Sequence, residues 1–415
     1  MRNRSFNAFL FFLMFSGSLL AGGFQINEHG SKAMAMGGAF TALANDPSSL
    51  YFNNAAITRL GGLQFMVGST LIAPSASFRG ISPAVTETEM ESQLFTPIHL
   101  YATYQVTKDL FVGVGLNNPF GLGTKWDENW VGRFISVEAD LKTFSFNPTV
   151  AYRVLDNLSV GVGLQYNIAS VVLTRKIGFT QTATEATLDL SGDDNGAIGY
   201  TAGLLYEPFD NLSLGFQYRS QVDYEFKGTA KTTGHPAALD SRVPKGDITA
   251  VFGSPMQYTI GLAYMPMAGL TVTADYQAIG WSSYDYLKVD FSDATLTDIS
   301  SPRLYQDTYI LRFGAEYMWM PELALRAGFL IDNNPVEDTH VDPSLPDSDR
   351  LGFSAGFGYK LTSNMTLDFS YLYLRFAERT ITTSQVSAVT NGMVPFNGTY
   401  NSTAGLYALS FSYNL

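Results

Sequence analysis

The sequence predicts an all-β fold, a transmembrane antiparallel β-barrel of about 14 strands with a small N-terminal plug in the lumen. Three observations predict it: a turn-and-strand phrase that recurs six times, strands with apolar residues at every second position, and long connections between the copies. The clearest copies of the phrase are Asp156–Gly161 and Asp210–Gly215. Looser copies begin at Lys108, Ala268, Glu322 and Asn364. Short turns that alternate with long loops are typical of outer-membrane barrels.

The first 21 residues have the features of a secretory signal peptide. Arg2 and Arg4 form a basic start, Phe9–Phe15 is a continuous apolar run, and small residues lead to Ala21. The run is too short for a membrane-spanning helix. We therefore expect residues 1–21 to be removed after Ala21 and the rest of the chain to be exported.

Residues 22–60 do not have the alternation of a strand, and we expect them to form the plug. Ser31–Ala39 is rich in small residues and Met, while Asn45–Ser48 carries a turn or helix-start signal. A segment of this length could fill the lumen of a barrel. The alternative is a flexible extension into the periplasm.

Residues 61–415 contain the predicted barrel. In one strand Leu158, Val160 and Val162 point one way, while Ser159 and Gly161 point the other. A period of two gives one apolar and one polar face. In a barrel the apolar face meets lipid, whereas in a soluble sandwich it would face inward, so the pattern alone leaves both folds open.

Seven up-down hairpins on six short turns give the even strand number that such barrels have. The predicted strands are 62–72, 95–106, 110–117, 144–154, 158–176, 196–207, 212–226, 257–265, 270–290, 308–318, 323–331, 350–361, 365–379 and 403–415. The long connections, predicted as exposed loops, include 118–143, 227–256, 332–349 and 380–402.

The last strand favours the membrane barrel over the sandwich. Tyr407, Leu409, Phe411, Tyr413 and Leu415 alternate with small or polar residues up to the final position. A closing strand of this kind is typical of outer-membrane barrels, and we expect the barrel-assembly machinery to recognise it. Outer-membrane lipids are the other expected partners of the barrel.

Composition excludes several classes of function. The 415 residues include no Cys, which removes disulfides, thiolate metal sites, Cys nucleophiles and a lipoprotein anchor. A net charge of −12 argues against a nucleic-acid partner. The four His are scattered without metal-ligand spacing, so we expect no metal and no cofactor. An aromatic content of 14% suits the aromatic girdles of a barrel.

One predicted extracellular loop carries five large apolar residues. They are Phe120, Leu122, Trp126, Trp130 and Phe134. An exposed apolar patch of this size must be covered by itself or by a ligand. We expect a hydrophobic small molecule to bind there as substrate; the alternative is a loop core without a ligand.

Four segments resemble the family of long-chain fatty-acid outer-membrane transporters (OMPP1/FadL/TodX). Gly22–Glu28 resembles the mature start of that family, and Asn53, Asn54 and Ala55 resemble its Asn-Pro-Ala plug motif, with Asn54 in place of proline. Asn118–Leu122, with the Trp126–Arg133 region, and Leu325–Gly328, with Asp332 and Pro346–Arg350, are similar to later family segments. The matches span nearly the whole chain.

The resemblance implies a monomeric barrel of the outer membrane that is closed by an N-terminal hatch and is not an enzyme. Substrate would meet a groove between extracellular loops, move to a tighter site beside the hatch, and leave sideways into the membrane without an energy source. Long-chain fatty acids are the expected substrate, and monoaromatic hydrocarbons or alkanes are the alternative.

A fatty acid also needs a cation for its carboxylate. Arg175 roughly matches a basic residue that the family places near the head group, and Arg303 is the nearest basic neighbour of a second. Arg326 falls on the lumen side of its strand by alternation. For each Arg the alternative is a salt bridge with a lumen acid such as Asp275 or Asp368.

Two other functions compete with hydrophobe uptake. An outer-membrane lipase or protease needs a nucleophile and a base at one membrane edge, and His99 lies near a strand start, but no motif joins it to a Ser or Asp. An open porin for polar solutes is disfavoured by the apolar loop and the plug.

Overall fold

The computed structural model describes residues 23–83, 85–179, 183–387 and 394–415. The predicted signal peptide, residues 1–21, lies outside the described residues. None of the helices in these ranges is long and apolar enough to span a membrane.

Most of the described chain is β-structure. The strand segments are β1 (Leu63–Gly80), β2 (Glu87–Glu89), β3 (Ile98–Gln105), β4 (Leu110–Asn117), β5 (Gly121–Lys125), β6 (Glu138–Leu155), β7 (Leu158–Phe179), β8 (Thr184–Phe209), β9 (Leu212–Arg219), β10 (Val222–Thr233), β11 (Gly246–Ser254), β12 (Gln257–Met267), β13 (Leu270–Ile279), β14 (Tyr286–Phe291), β15 (Ile299–Pro302), β16 (Thr308–Met320), β17 (Leu323–Asp332), β18 (Arg350–Lys360), β19 (Met365–Phe376), β20 (Arg379–Ile381) and β21 (Gly398–Asn414). The helices are α1 (Ser31–Ala35), α2 (Ser49–Phe52) and the 3₁₀ turns η1 (Asn54–Arg59), η2 (Ala237–Leu239), η3 (Trp281–Ser283) and η4 (Asp338–His340).

The segments form a closed antiparallel barrel of 14 strands, so the predicted fold class is confirmed. Consecutive segments such as β4 and β5, or β9 and β10, follow each other along one wall strand. The ends meet where β1 pairs with β21, from Gln64 against Asn414 to Gly80 against Gly398. All six predicted short turns connect neighbouring strands at one end of the barrel.

The two faces of the wall have opposite polarity. Along β7, Val160, Val162 and Leu164 are exposed, Val162 by 62%, while Gln165 and Asn167 are buried. An apolar exposed face with a polar interior is the arrangement for a lipid environment, and it is the reverse of a soluble sandwich.

Several predicted strand ends were wrong, mostly at the end with long loops. β8 begins at Thr184 rather than at 196, β21 begins at Gly398 rather than at 403, and the predicted loop 227–256 contains the end of β10 and all of β11. These extensions carry Thr, Gly, Asp and Lys, so they lack the apolar alternation that lipid imposes. Backbone pairing continues there with a mostly polar outer face, while apolar side chains such as Leu188, Leu190 and Ile248 are buried on the inner face.

Residues 23–60, the N-terminal segment, lie inside the barrel. α1 contacts β17, β18, β19 and β21, whereas η1 contacts β4, β6, β7 and β8. Strands on opposite sides of a closed wall can be touched together only from the lumen. The Asp275 side chain on β13 accepts hydrogen bonds from the backbone N–H groups of Phe40 (3.0 Å) and Thr41 (2.9 Å). The domain limits at residues 21 and 60 stay predictions.

Candidate functional site

A cavity of about 420 Å³ lies between the N-terminal segment and the wall, towards the end with long loops. We call it the inner cavity. Most of its lining is apolar and includes the side chains of Phe24, Ile26, Met90, Phe95, Phe120 and Leu122. A space of this size with a dry lining suits one hydrophobic small molecule.

One side of the inner cavity is charged. Glu28, Arg312, Asp332 and Arg350 contribute to its lining. The Arg350 guanidinium lies 2.7 Å from an Asp347 carboxylate oxygen and 3.5 Å from one of Asp332. Among the described residues, the buried Nε of Arg350 has no hydrogen-bond partner. The cavity is therefore amphipathic, with a donor available at its polar side.

A second cavity of about 90 Å³, the upper cavity, adjoins the first. It is lined by apolar side chains of β7, β8, β10 and β11, together with Tyr284, Arg303 and Tyr305. Arg303 Nη1 lies 2.6 Å from an Asp342 carboxylate oxygen, and no described residue accepts a hydrogen bond from its buried Nε. Burial raises the pKa of Tyr284 and of Tyr305, so both hydroxyl groups stay protonated at neutral pH.

Phe24 and Leu122 line both cavities and form the partition between them. The Phe24 ring packs 4.9 Å from the Trp281 ring, 5.3 Å from that of Phe252 and 6.1 Å from that of Phe120. The preceding residue, Gly23, has φ +65°, and a Cβ there would lie 2.5 Å from the Trp281 ring. Only glycine fits both conditions, so Gly23 places the Phe24 ring in the partition.

The wall is interrupted beside the inner cavity. Pairing between β3 and β4 stops at Leu100 and Leu116, after which β5 pairs with β6 on its other side. Within the described ranges, no ladder joins residues 92–97 to 119–124; we call this place the wall gap. Pro119 has no backbone N–H to offer a neighbouring strand.

One aromatic ring lies across the wall gap. A Cβ built on Gly123 would overlap the Phe95 ring, so this ring packs directly against the Gly123 backbone. The inner cavity also reaches Ile98 and Phe144, whose side chains are exposed on the lipid face. The cavity therefore extends from the lumen to the outer surface of the barrel.

The five predicted groove residues divide into two groups. Phe120 and Leu122 line the inner cavity. Trp126 and Trp130 stack on each other with ring centroids 4.3 Å apart and are almost fully buried. Their indole N–H groups donate to the backbone oxygens of Pro343 (3.0 Å) and Ser136 (2.8 Å).

The third loop aromatic, Phe134, lies under the guanidinium of Arg133, 4.5 Å from the ring centroid. Trp126 and Trp130 form a buried loop core, which is the alternative that the sequence left open, whereas Phe134 is only half-buried. A substrate contact by these three residues stays a prediction.

The three predicted head-group cations also differ in surroundings. Arg303 lines the upper cavity, and the charges of Asp342 and Arg303 both act on Arg175. Arg326 pairs with Glu316 (2.6 Å) and Asp368 (2.5 Å) and is absent from the lining of both cavities. This geometry supports Arg303, with Arg175 nearby, and gives no support to Arg326.

The three residues of the plug motif connect the N-terminal segment to the wall. Asn53 donates to the backbone oxygens of Thr41 (2.9 Å) and Leu204 (3.0 Å), and its side-chain oxygen accepts from the N–H of Ala55 (3.1 Å). Asn54 donates to Thr201 Oγ1 at 3.0 Å. Ala55 is fully buried. Asn54, which stands where the family motif has proline, therefore connects the N-terminal segment to β8 through Thr201.

Sequence reasoning missed Phe24, Phe95, Arg312 and Arg350 as site residues. Alternation places Arg312 and Arg350 on the lumen side, which was the available signal for both. Phe24 and Phe95 belong to irregular backbone, and their positions depend on long-range packing. In the described part of the chain, no group of three or more His, Cys, Asp or Glu could hold a metal ion.

Comparison with known proteins agrees with this geometry. A family described as outer membrane protein transport protein (OMPP1/FadL/TodX) matches residues 12–415. The chain is 29% identical to the 47 kDa outer membrane protein of Pasteurella multocida, covering 96% of this chain and 95% of the relative. It is 24% identical to the long-chain fatty acid transport protein of Escherichia coli K12, covering 85% and 87%.

Two solved structures show the same fold. A FadL homologue of Pseudomonas aeruginosa superposes with a TM-score of 0.84 at 20% identity, covering 95% of this chain and 100% of that one. The toluene transporter TodX of Pseudomonas putida gives a TM-score of 0.74 at 20% identity, covering 94% and 99%.

Proposed function

Because this chain belongs to the OMPP1/FadL/TodX family of outer-membrane transporters for hydrophobic compounds, we propose that it takes up long-chain fatty acids passively. The observation that carries the proposal is the pair of adjoining apolar cavities, each with an arginine that has an unpaired donor. An apolar tail and an anionic head group need both features in one place.

The tail of the acid binds along the apolar lining of the inner cavity. Phe120 and Leu122 contribute to this lining from the wall strand, and Phe24 and Ile26 contribute from the N-terminal segment. Each methylene that leaves water there contributes about 0.8 kcal/mol. About ten methylenes therefore contribute roughly 8 kcal/mol, the size of a micromolar affinity before the costs of association are subtracted.

The carboxylate binds at Arg303 in the upper cavity. Arg303 Nε is a buried donor without a partner in the described ranges, and a carboxylate oxygen would satisfy it. The protonated Tyr284 and Tyr305 offer two further donors. Charge-assisted hydrogen bonds of this kind are about twice as strong as neutral ones. Asp342 keeps the site near neutrality when no acid is bound.

The substrate then passes Phe24 into the inner cavity and leaves through the wall gap into the membrane. Three features support this route: the shared lining at Phe24, the interrupted β3–β4 ladder, and the reach of the cavity to Phe144 on the lipid face. The N-terminal segment acts as the hatch that blocks the straight path to the periplasm. Transport needs no energy source because the tail stays in apolar surroundings throughout.

Monoaromatic hydrocarbons are the second candidate substrate. The upper cavity holds about 90 Å³, which is small for a long tail, and the fold matches the TodX toluene transporter. An uncharged aromatic would need neither Arg303 nor Arg350. The two substrate classes therefore differ in their dependence on arginine.

Uptake in a Gram-negative strain without its own transporters separates the two classes. We expect the chain to restore uptake of labelled oleate, and Arg303→Gln to reduce this uptake about tenfold, the effect of losing roughly 1.4 kcal/mol. Arg79→Gln, at an exposed position, is the matched control. Toluene uptake without oleate uptake, in a strain with confirmed outer-membrane insertion, would reject the fatty-acid proposal in favour of aromatics.

A further inference from the structure

A third concavity lies on the lipid-facing side of the barrel, outside the lumen. It has a volume of about 500 Å³, and its lining is almost entirely apolar. We call it the outer groove, and its exposed walls and floor are Phe65, Val67, Leu100, Ala102, Val114, Leu116, Phe146, Phe411 and Tyr413. The proposed route through the upper cavity, the inner cavity and the wall gap does not require such a groove.

The floor of the groove lies on strands β3 and β4. The outward side chains of β4, Val112, Val114 and Leu116, are only partly exposed, as is Ala102 on β3. Val67 on β1 and Val150 on β6 are 48% and 46% exposed. β3 and β4 therefore lie between the more exposed outward side chains of β1 and β6.

The lumen side of β4 is closely packed. A Cβ on Gly113 would lie 2.7 Å from a methyl group of Leu50, and one on Gly115 would lie 3.0 Å from the Tyr101 ring. These two glycines let Leu50 of α2 approach the β4 backbone closely. The floor of the groove therefore lies directly outside a close contact between β4 and the N-terminal segment.

The outer groove continues directly from the wall gap. On β3, Ile98 lines the inner cavity, and Leu100, the next outward residue, lines the groove. On β6, Phe144 lines the inner cavity and Phe146, the next outward residue, lines the groove. Because residues two apart lie side by side on one face of a strand, the two concavities are adjacent on the lipid side.

We propose that the outer groove is an exit subsite that holds the hydrocarbon tail of the transported acid after it passes the wall gap. The inference rests on the proposed function. Its occupant is a single saturated or unsaturated tail delivered through the wall gap beside Phe95, because the lining of the inner cavity at Ile98 and Phe144 adjoins that of the groove at Leu100 and Phe146. From the gap the groove follows β4 towards the short-turn end, so it directs the tail into the depth of the membrane.

The test uses the full-length protein reconstituted in vesicles of outer-membrane lipids. The probe is a palmitic acid with a photoreactive diazirine near the end of its tail, supplied from outside and cross-linked during uptake. Ala102→Phe fills the groove from the lipid side without reaching the lumen. Ala274→Phe is the matched control, because Ala274 is an equally half-buried outward alanine on β13, between Leu262 and Phe313.

We expect labelling of Leu100, Ala102 and Val114 in the wild-type protein, and about a tenfold loss of that labelling and slower uptake in Ala102→Phe. Ala274→Phe should behave as wild type. Uniform labelling around the barrel, with uptake unaffected by Ala102→Phe and with Phe120 and Leu122 still labelled, would overturn the outer groove and leave the proposed function standing. Absence of both uptake and lumen labelling would overturn the proposed function and the groove with it.

Discussion

At the scale of single residues, the hydrogen bonds of the guanidinium groups divide the lumen arginines into two kinds. Arg326 pairs with two buried carboxylates and lines neither cavity, so its removal would leave uncompensated charge, and a head-group role for it stays a prediction. Arg303 and Arg350 each keep one donor without a partner among the described residues. Alternation in the sequence placed Arg326 on the lumen side correctly. Alternation could not indicate which arginine keeps a hydrogen-bond donor without a partner, because the partners come from distant strands and loops.

The buried His29 makes the N-terminal segment sensitive to acid. Its Nε2 lies 3.0 Å from the backbone oxygen of Ile26, and its ring packs 4.1 Å from that of Tyr51. Burial, with the charges of His99 and Arg219, lowers the pKa of His29 well below its ordinary value. The stabilising contribution of neutral His29 is therefore present above about pH 6.5 and is lost as the pH falls through the lower, folded-state pKa.

We expect the protection of residues 31–60 against hydrogen exchange, corrected for the slower intrinsic exchange at low pH, to decrease between pH 7 and pH 4.5, and His29→Gln to weaken that decrease. Burial raises the pKa of the neighbouring Glu28 and Asp46, whose contributions are lost as pH rises and so act in the opposite sense. The difference between variant and wild type isolates His29. Equal acid sensitivity in both would contradict the prediction.

At the scale of elements, the sequence identified every wall strand but not the breaks within them. The sequence predicts a loop over residues 118–143, directly after the strand that ends at Asn117. In the structure the strand resumes as β5 at Gly121, after three residues, and pairs with β6 on one side only. Whether two strand segments form backbone hydrogen bonds depends on how close the neighbouring segment lies. The spacing of apolar residues in the sequence carries no information about that distance.

The Phe95 ring should control how fast substrate crosses the wall gap. Phe95→Ala removes the ring that packs against Gly123 and widens the gap. We expect oleate uptake to rise by up to about tenfold, if passing this ring is the slowest step and costs roughly 1.4 kcal/mol. Initial uptake rates measure it, and Leu94→Ala, at an exposed neighbouring position, is the control. A lower rate in Phe95→Ala would mean that the ring guides the substrate.

At the scale of the whole molecule, the N-terminal segment decides whether the barrel conducts ions. We expect the wild-type protein to show low conductance in a planar bilayer, since an open porin would show large steps. Gly161→Val should raise the conductance, because a Cβ there would lie 2.7 Å from the backbone of Asn54 and Ala55 and would displace η1. Gly405→Val is the control, since the atoms within 4 Å of a Cβ there belong to the wall residue Tyr371 and not to the N-terminal segment.

An increase in Gly161→Val alone would tie the closure of the pore to the contact between η1 and β7. Equal conductance in all three proteins would show that some other part of the chain closes the barrel. The sequence predicted the closed barrel and an N-terminal segment inside its lumen. The individual contacts could not be predicted, because glycines that admit the segment look the same in sequence as glycines that only bend a strand.

The wall gap has a consequence for the direction of flow. A route that joins external water to the membrane interior, with no step coupled to an energy source, exchanges its cargo in both directions. The concentration ratio on the two sides alone then sets the net movement. For the fatty-acid cargo that we propose, a cell that has accumulated acid in its outer membrane and meets an external acceptor would lose that acid through the same cavities. Continued intake of that cargo would then depend on its consumption downstream and not on the protein itself.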